Sequence, residues 1–168
     1  MPASVEALTI RPATVGDAPR IAEIYNQGIE ERIATFETVL RTGPDVASWV
    51  VERRPLIVAE RDGVVVGFAR VTAASDRDVY AGVGEHGVYV AREARGGGVG
   101  RALLEALADA ARADGYYKLM SRIFADNAAS LAAHRAAGFD EVGVQRRHGK
   151  LDGEWRDCVL VERLLEAD

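Results

Sequence analysis

The chain holds one cysteine, Cys158, in 168 residues, so no disulfide closes within it and its fold needs no oxidising compartment. Positive charge is also short: 21 Lys and Arg stand against 26 Asp and Glu, a formal net charge of −5. That balance excludes a general nucleic-acid binder, which needs a basic face. No apolar run approaches the roughly 20 residues of a membrane-spanning helix, and the N-terminus lacks the basic-then-apolar pattern of a secretory signal. Repeats, low-complexity segments and interdomain linkers are missing as well. A single cytoplasmic domain over residues 1–168 is expected, with 48% hydrophobic residues to fill its core.

What is present centres on Gly87 to Ala111. An apolar strand, Val88-Tyr89-Val90, leads through a short polar loop to Arg95-Gly96-Gly97-Gly98-Val99-Gly100 and then to an apolar-periodic helix. Val99, Leu103, Leu104, Leu107 and Ala111 recur at helical spacing, which predicts one buried face. The glycines bare the backbone where the strand ends and the helix begins. The first-turn N–H groups there have no intrahelical partner, and with the positive end of the helix dipole they form a site for phosphate. Two familiar phosphate loops do not fit. G-x-G-x-x-G fails because its last position falls on Arg101 or Leu103, and no Lys-Ser or Lys-Thr follows as a Walker loop requires.

Around this segment the chain reads as alternating elements. Leu8 to Arg11 is a strand, a helix starts at Asp17-Ala18-Pro19, and Arg32 to Thr38 is a loop or broken helix. A second helix covers Pro44 to Arg54. Leu56 to Glu60 and Val64 to Val71 form a hairpin about Asp62-Gly63. After a polar connection, Glu85 to Val90 precedes the glycine loop and its helix, which Gly115 closes. Lys118 to Ile123 is a strand, Asp126 or Asn127 caps a helix ended by Gly138, and Phe139 to Val144 and Trp155 to Leu165 are two last strands joined through Gly149 to Gly153. The order β-α-α-β-β-β-α-β-α-β-β predicts an α/β fold with a mixed sheet and helices on both faces.

Arg95-x-x-Gly98-x-Gly100 after a V-x-V strand resembles the pyrophosphate loop of the GCN5-related N-acetyltransferase (GNAT) superfamily, and the element order resembles that family over essentially the whole chain. The resemblance implies a mostly antiparallel sheet of about seven strands, acetyl-CoA as co-substrate and no metal. It implies that Arg95, Gly96, Gly97, Gly98, Val99, Gly100 and Arg101 hold the pyrophosphate, and that Val88, Tyr89 and Val90 pair with the pantetheine arm. Asn127, Ser130 and His134 before Gly138-Phe139 resemble the second signature of the family. That match implies Asn127 and Ser130 at the cofactor and His134 as the acid for the departing thiolate, a slot often filled by tyrosine. Plain structural roles remain open for the same residues: Asn127 as an N-cap, His134 as a core histidine, Glu85 as a strand-end carboxylate.

Glu85 to Val90 resembles T-V-E-x-S-V-Y-V of the phosphinothricin and arsinothricin N-acetyltransferases, with Gly87 in place of serine and Glu85 as the implied general base. His86 points to the face opposite Glu85 by strand alternation and is given no part in the chemistry. Tyr25-Asn26, Ala34 to Thr38, Asp76 to Tyr80 and His148 to Asp157 resemble further segments of that subfamily. The implied acceptor is a small amino-acid analogue with an acidic head and a free α-amine, such as phosphinothricin, arsinothricin, methionine sulfoximine or methionine sulfone; acetylating such a toxin confers resistance. Its acidic groups call for arginine, from among Arg32, Arg70, Arg77 and Arg122, with Arg70 and Arg77 favoured. Phe36, Tyr80 and Tyr89 are the expected aromatic walls. The resemblance further implies a homodimer, with no nucleic-acid or membrane partner. Acetylation of a protein N-terminus or a polyamine, and a non-catalytic acyl-CoA-binding module, are the alternatives.

Overall fold

A computed structural model describes residues 7–165. Strand β1 (Thr9–Pro12) leads to helix α1 (Ala18–Glu31), which opens with proline in its first turn. The junction is pinned by Asp17, whose carboxylate takes hydrogen bonds from Arg11 at 2.8 Å and from the Thr14 N–H at 2.8 Å. The Arg11 hydrogen bond is the main reason its pKa falls to about 2. Helix α1 ends at Arg32, which adopts the left-handed conformation with φ 57°. Helix α2 (Gly43–Val51) begins in a capping box: the Thr42 N–H donates to Asp45 at 2.7 Å while the Asp45 N–H donates to the Thr42 hydroxyl.

Strands β2 (Leu56–Arg61) and β3 (Val64–Ala73) meet in a two-residue turn with positive φ at Asp62 and Gly63. Then come β4 (Val83–Val90), α3 (Val99–Ala113), β5 (Lys118–Phe124), α4 (Ala128–Ala136), β6 (Asp140–Leu151) and β7 (Glu154–Leu164). The sheet order is β1-β2-β3-β4-β5-β7-β6, antiparallel except where β4 meets β5, so the last strand is inserted beside β5. The expected connection from Gly149 to Gly153 is corrected. β6 continues through Gly149, Lys150 and Leu151, which pair with Arg156, Trp155 and Glu154, and only Asp152-Gly153 turns.

Two cores flank the sheet. Helices α1 and α2 bury Ile21, Ile24 and Val46 against Val58 and Phe68. On the other face α3 buries Val99, Leu103, Leu104, Leu107 and Ala111, the stripe its periodicity predicts, against Val71, Ile123 and Val161. Strands β4 and β5 pair only from Val83 to Glu85. Beyond that β4 stays with β3 and β5 stays with β7. The sheet therefore opens in its middle, and β4 from His86 to Val90 has no strand partner on its β5 side. No helix among the described residues is long and apolar enough to cross a membrane.

Candidate active site

Two cavities meet at this opening. The larger, about 740 Å³, runs from the glycine loop along Val88 to Val90 and across to Ser121 to Phe124, with α4 as a wall. The smaller, about 540 Å³, lies under α1 and α2 and is lined by Tyr25, Trp49, Phe68, Arg70 and Thr72. Glu85, His86, Gly87 and Tyr89 border both. Register explains the division. Arg70 lies opposite Gly87 and Thr72 opposite Glu85, so these four share the α1/α2 face, while His86, Val88 and Val90 project toward α3 and α4.

At the glycine loop, Gly96 and Gly98 have φ of 81° and 82°, a conformation that favours glycine. Gly98 is the N-cap of α3, and the first intrahelical bond runs from the Ala102 N–H to the Gly98 carbonyl at 3.1 Å. The N–H groups of Val99, Gly100 and Arg101 precede it and are free for an anion, the chemistry of a phosphate site. Gly96, Gly98, Val99, Gly100, Arg95 and Arg101 line the cleft; Gly97 does not. The two arginines are already engaged. Arg95 pairs with Glu31 and donates to the Val90 carbonyl at 3.1 Å, and Arg101 pairs with Glu105 at 2.9 Å. The hydrogen bond from Arg95 is the main reason the Glu31 pKa is lowered. Gly98→Asp should abolish acetyl-CoA binding, since it strains the left-handed residue and places a carboxylate at the anion site. Gly98→Ala should weaken binding through strain alone, of about 1–2 kcal/mol. Calorimetry showing equal losses in the two variants would mean that charge at this site is immaterial.

On α4, the Asn127 side chain accepts from the Ser130 N–H at 3.2 Å and donates to the Ile33 carbonyl at 2.9 Å. Both ends of the amide are therefore engaged. Asn127 caps the helix and ties it to the loop over the cleft; it lines the cleft with Ser130, and one amide N–H is left over for a ligand. His134 is 2% exposed and buried beside the cleft. Its Nδ1 sits 2.7 Å from the Ser130 carbonyl and its Nε2 sits 3.0 Å from Nε2 of His86. His86 is 4% exposed and packs on Phe139 with ring centroids 4.8 Å apart. Burial pushes both imidazole pKa values down, so both rings are neutral at physiological pH. The expected free acid at position 134 is thus half of a buried pair.

In the smaller cavity the Arg70 guanidinium stacks over Trp49, 3.9 Å from the ring centroid. It has no carboxylate partner among the described residues, its Nη1 is buried without a hydrogen bond, and burial depresses its pKa. The other charges there are compensated: Arg41 pairs with Glu37 at 3.1 Å, and Asp45 is held in the Thr42 cap. Glu85 lies 3.7 Å from Nη1 of Arg122, which also donates to Gln145 at 2.9 Å. Tyr25, Trp49, Phe68 and Tyr89 form an aromatic floor, with Phe68 and Tyr89 stacked at 5.2 Å. Burial raises the Tyr89 pKa, keeping its phenol protonated.

The Acetyltransferase (GNAT) family matches residues 22–139. The chain belongs to that family. It is 35% identical over 166 residues to phosphinothricin N-acetyltransferase of Alcaligenes faecalis, covering 96% of this chain and 84% of that protein. It is 34% identical to the L-methionine sulfoximine/L-methionine sulfone acetyltransferase of Pseudomonas paraeruginosa, covering 94% and 95%. A Salmonella typhimurium structure containing the cofactor acetyl-CoA superposes with a TM-score of 0.92 at 31% identity, covering 96% of each chain.

Within this GNAT frame several expected site residues lie elsewhere. Arg77 and Tyr80 line neither cavity; both are exposed in the connection before β4, the guanidinium 5.5 Å from the Tyr80 ring. Arg32 pairs with Asp152 at 2.9 Å, outside both cavities. Phe36 does line the larger cavity, edge-on to Phe124 at 4.8 Å, and a Cβ on Gly149 would stand 2.8 Å from it. Gly87 lies opposite Arg70, where a Cβ would come within 3.2 Å of the Tyr89 ring. The sequence reading gave His86 no part in the chemistry and did not single out Thr72 or Cys158, whereas Thr35 and His148 fall inside segments it did mark. His86 carried a signal in strand alternation; Thr72 and Cys158 are brought to the cavities by strand pairing.

Proposed function

We propose that this GNAT enzyme transfers the acetyl group of acetyl-CoA to the α-amine of a small amino-acid analogue bearing an anionic side-chain group. The observation that carries the acceptor class is Arg70, a desolvated guanidinium with an unpartnered nitrogen in a cavity that reaches Glu85. Such a group is costly until a carboxylate, phosphinate or comparable anion meets it. The relatives named for phosphinothricin and for methionine sulfoximine and sulfone support the same class.

In this reading the N-terminus of α3 takes the pyrophosphate and the unpaired edge of β4, Val88 to Val90, takes the pantetheine arm. The substrate amine approaches from the smaller cavity. Glu85 removes a proton from the ammonium, directly or through water; the free amine attacks the thioester carbon while β4 N–H groups stabilise the oxyanion, and the newly bonded nitrogen sheds its surplus proton to water. The C–S bond then breaks, and the thiolate takes a proton from the His134 side of the cleft. The reading treats residues 1–168 as one domain working in the cytoplasm as a homodimer. Exposed Val142, Val144 and Trp155 on β6 and β7 support an interface there.

A CoA-release assay over phosphinothricin, arsinothricin, methionine sulfoximine, methionine sulfone, spermidine and a short peptide tests it. The anionic amino-acid analogues should be turned over best. If spermidine or the peptide outruns all four, the acceptor class is wrong while acetyl transfer stands.

A further inference from the structure

Three neighbouring strands carry a cation, a carboxylate and a cation on one face of the sheet. Arg70 on β3 stands opposite Gly87, two residues from Glu85 on β4. Glu85 is in register with Met120, two residues before Arg122 on β5. Side chains two apart on a strand share a face, so all three charged groups point the same way with Glu85 in the middle. The two arginines stand in different compartments: Arg70 lines only the smaller cavity, Arg122 only the larger, and Glu85 borders both. Arg122 is held from the side. Its Nε donates to the Gln145 amide oxygen at 2.9 Å, and Gln145 comes from β6 beside a bulge whose His148 also lines the larger cavity. Nη1 of Arg122 lies 3.7 Å from Glu85, beyond hydrogen-bond range. Among the described residues neither Nη group is hydrogen-bonded, so their donors are left for a ligand.

We propose that Arg122, oriented by Gln145, is the subsite for the acceptor's α-carboxylate, while Arg70 takes the acidic group of its side chain. The inference rests on the amino-acid acceptor reading above. An α-amino acid carries its nitrogen and its carboxylate on one carbon, so the two must meet protein groups that are themselves close together. Glu85 and Arg122 are such a pair. With the nitrogen at Glu85, the carboxylate meets the Nη donors of Arg122 in the larger cavity, a paired contact that suits a guanidinium. The same cation, lying beside both carboxylates, offsets their mutual repulsion. The side chain leaves the α-carbon in another direction and carries its acidic head several bonds away, into the cavity of Arg70. Three contact points fix the α-carbon, so one configuration presents all three groups at once. The arrangement also excludes two acceptors. A peptide N-terminus has an amide where the free carboxylate is needed, and a polyamine has no acid at all; both leave Arg122 unmet.

The test compares two acceptors with one side chain, phosphinothricin and its α-carboxamide, on the full chain at saturating acetyl-CoA. The wild type should prefer the free acid by about 10–100-fold in kcat/KM, the range for a hydrogen-bonded charge. Arg122→Met should erase that preference by lowering the acid and leaving the amide nearly unchanged, and Arg122→Lys should restore part of it. Gln145→Leu, which removes the tether on Nε, should raise KM for the acid several-fold with kcat close to wild type. Acetyl-CoA affinity by calorimetry should hold in all three variants. Any change in the basicity of Glu85 acts on both acceptors alike, so the ratio between them reports the carboxylate contact. Equal losses for acid and amide in Arg122→Met would overturn the subsite, as would a wild type that takes the amide as readily as the acid. If Arg70→Ala erased the preference and Arg122→Met did not, the two arginines would exchange roles and the assignment would fall. Should Arg122→Met misfold, Arg122→Lys and the wild-type ratio still decide. Each of these failures leaves the anionic side-chain reading standing, because the side chain is constant. Transfer to neither acceptor, with acetyl-CoA bound normally, overturns that reading and the subsite with it.

Discussion

Glu85→Gln should slow turnover by about 10²–10⁴-fold, the range for a lost general base, while leaving acceptor KM unchanged or lower. The direction of the KM effect follows from charge. Glu85 borders the cavity that has to accept an anion, and removing its carboxylate removes a repulsion; Arg122, 3.7 Å away, then becomes a second uncompensated cation beside the site. The glutamine amide fills the same volume and still faces the opening between β4 and β5, so acetyl-CoA affinity should hold. The pH profile separates base catalysis from a structural loss. Without the carboxylate the enzyme depends on amine that is already free, whose fraction rises about tenfold per pH unit below the amine pKa. The variant's kcat should therefore climb with pH and approach wild type at the alkaline end. A uniform loss at every pH would assign Glu85 to packing or to substrate orientation.

How much of this site was legible in the sequence depends on how local each feature is. The glycine loop and the buried stripe of α3 were legible because a strand, a left-handed cap and a helical repeat lie within twenty-five consecutive residues. The β6–β7 connection was misread because Gly149 and Gly153 both advertise a turn. Gly149 is in fact a strand residue kept bare by Phe36, more than a hundred positions away, whose ring would stand 2.8 Å from a Cβ. Strand alternation placed His86 opposite Glu85, as the β3–β4 register confirms. Its partner His134 lies forty-eight residues on, and only the docking of α4 beside β4 joins them. Arg70 and Arg77 looked alike in the sequence, both before the Glu85 strand and both favoured as ligands for the acidic acceptor. Pairing separates them. Arg70 falls within β3, in register with Gly87, while Arg77 falls past the end of that strand in a surface turn.

That separation leads to the second large effect. Arg70→Ala should cost about 2–5 kcal/mol in acceptor kcat/KM, roughly 30- to several-thousand-fold, with acetyl-CoA affinity unchanged. The magnitude belongs to a desolvated charge. Exposed arginines that already hold a carboxylate, as Arg101 holds Glu105, are worth far less. Arg70 is half-buried, flat against Trp49 at 3.9 Å, and its Nη1 has surrendered water without gaining a protein partner. An anionic head that supplies the missing hydrogen bond recovers that desolvation cost on binding. Arg70→Lys should rescue only in part, because an ammonium offers neither the paired donors nor the stacking on Trp49. Two controls isolate the charge. An acceptor of similar size without an acidic side-chain group should be nearly indifferent to the substitution, and Arg77→Ala, at an exposed site outside both cavities, should leave kcat/KM close to wild type. Equal losses for charged and uncharged acceptors would show that Arg70 shapes the cavity through Trp49 and does not recognise an anion.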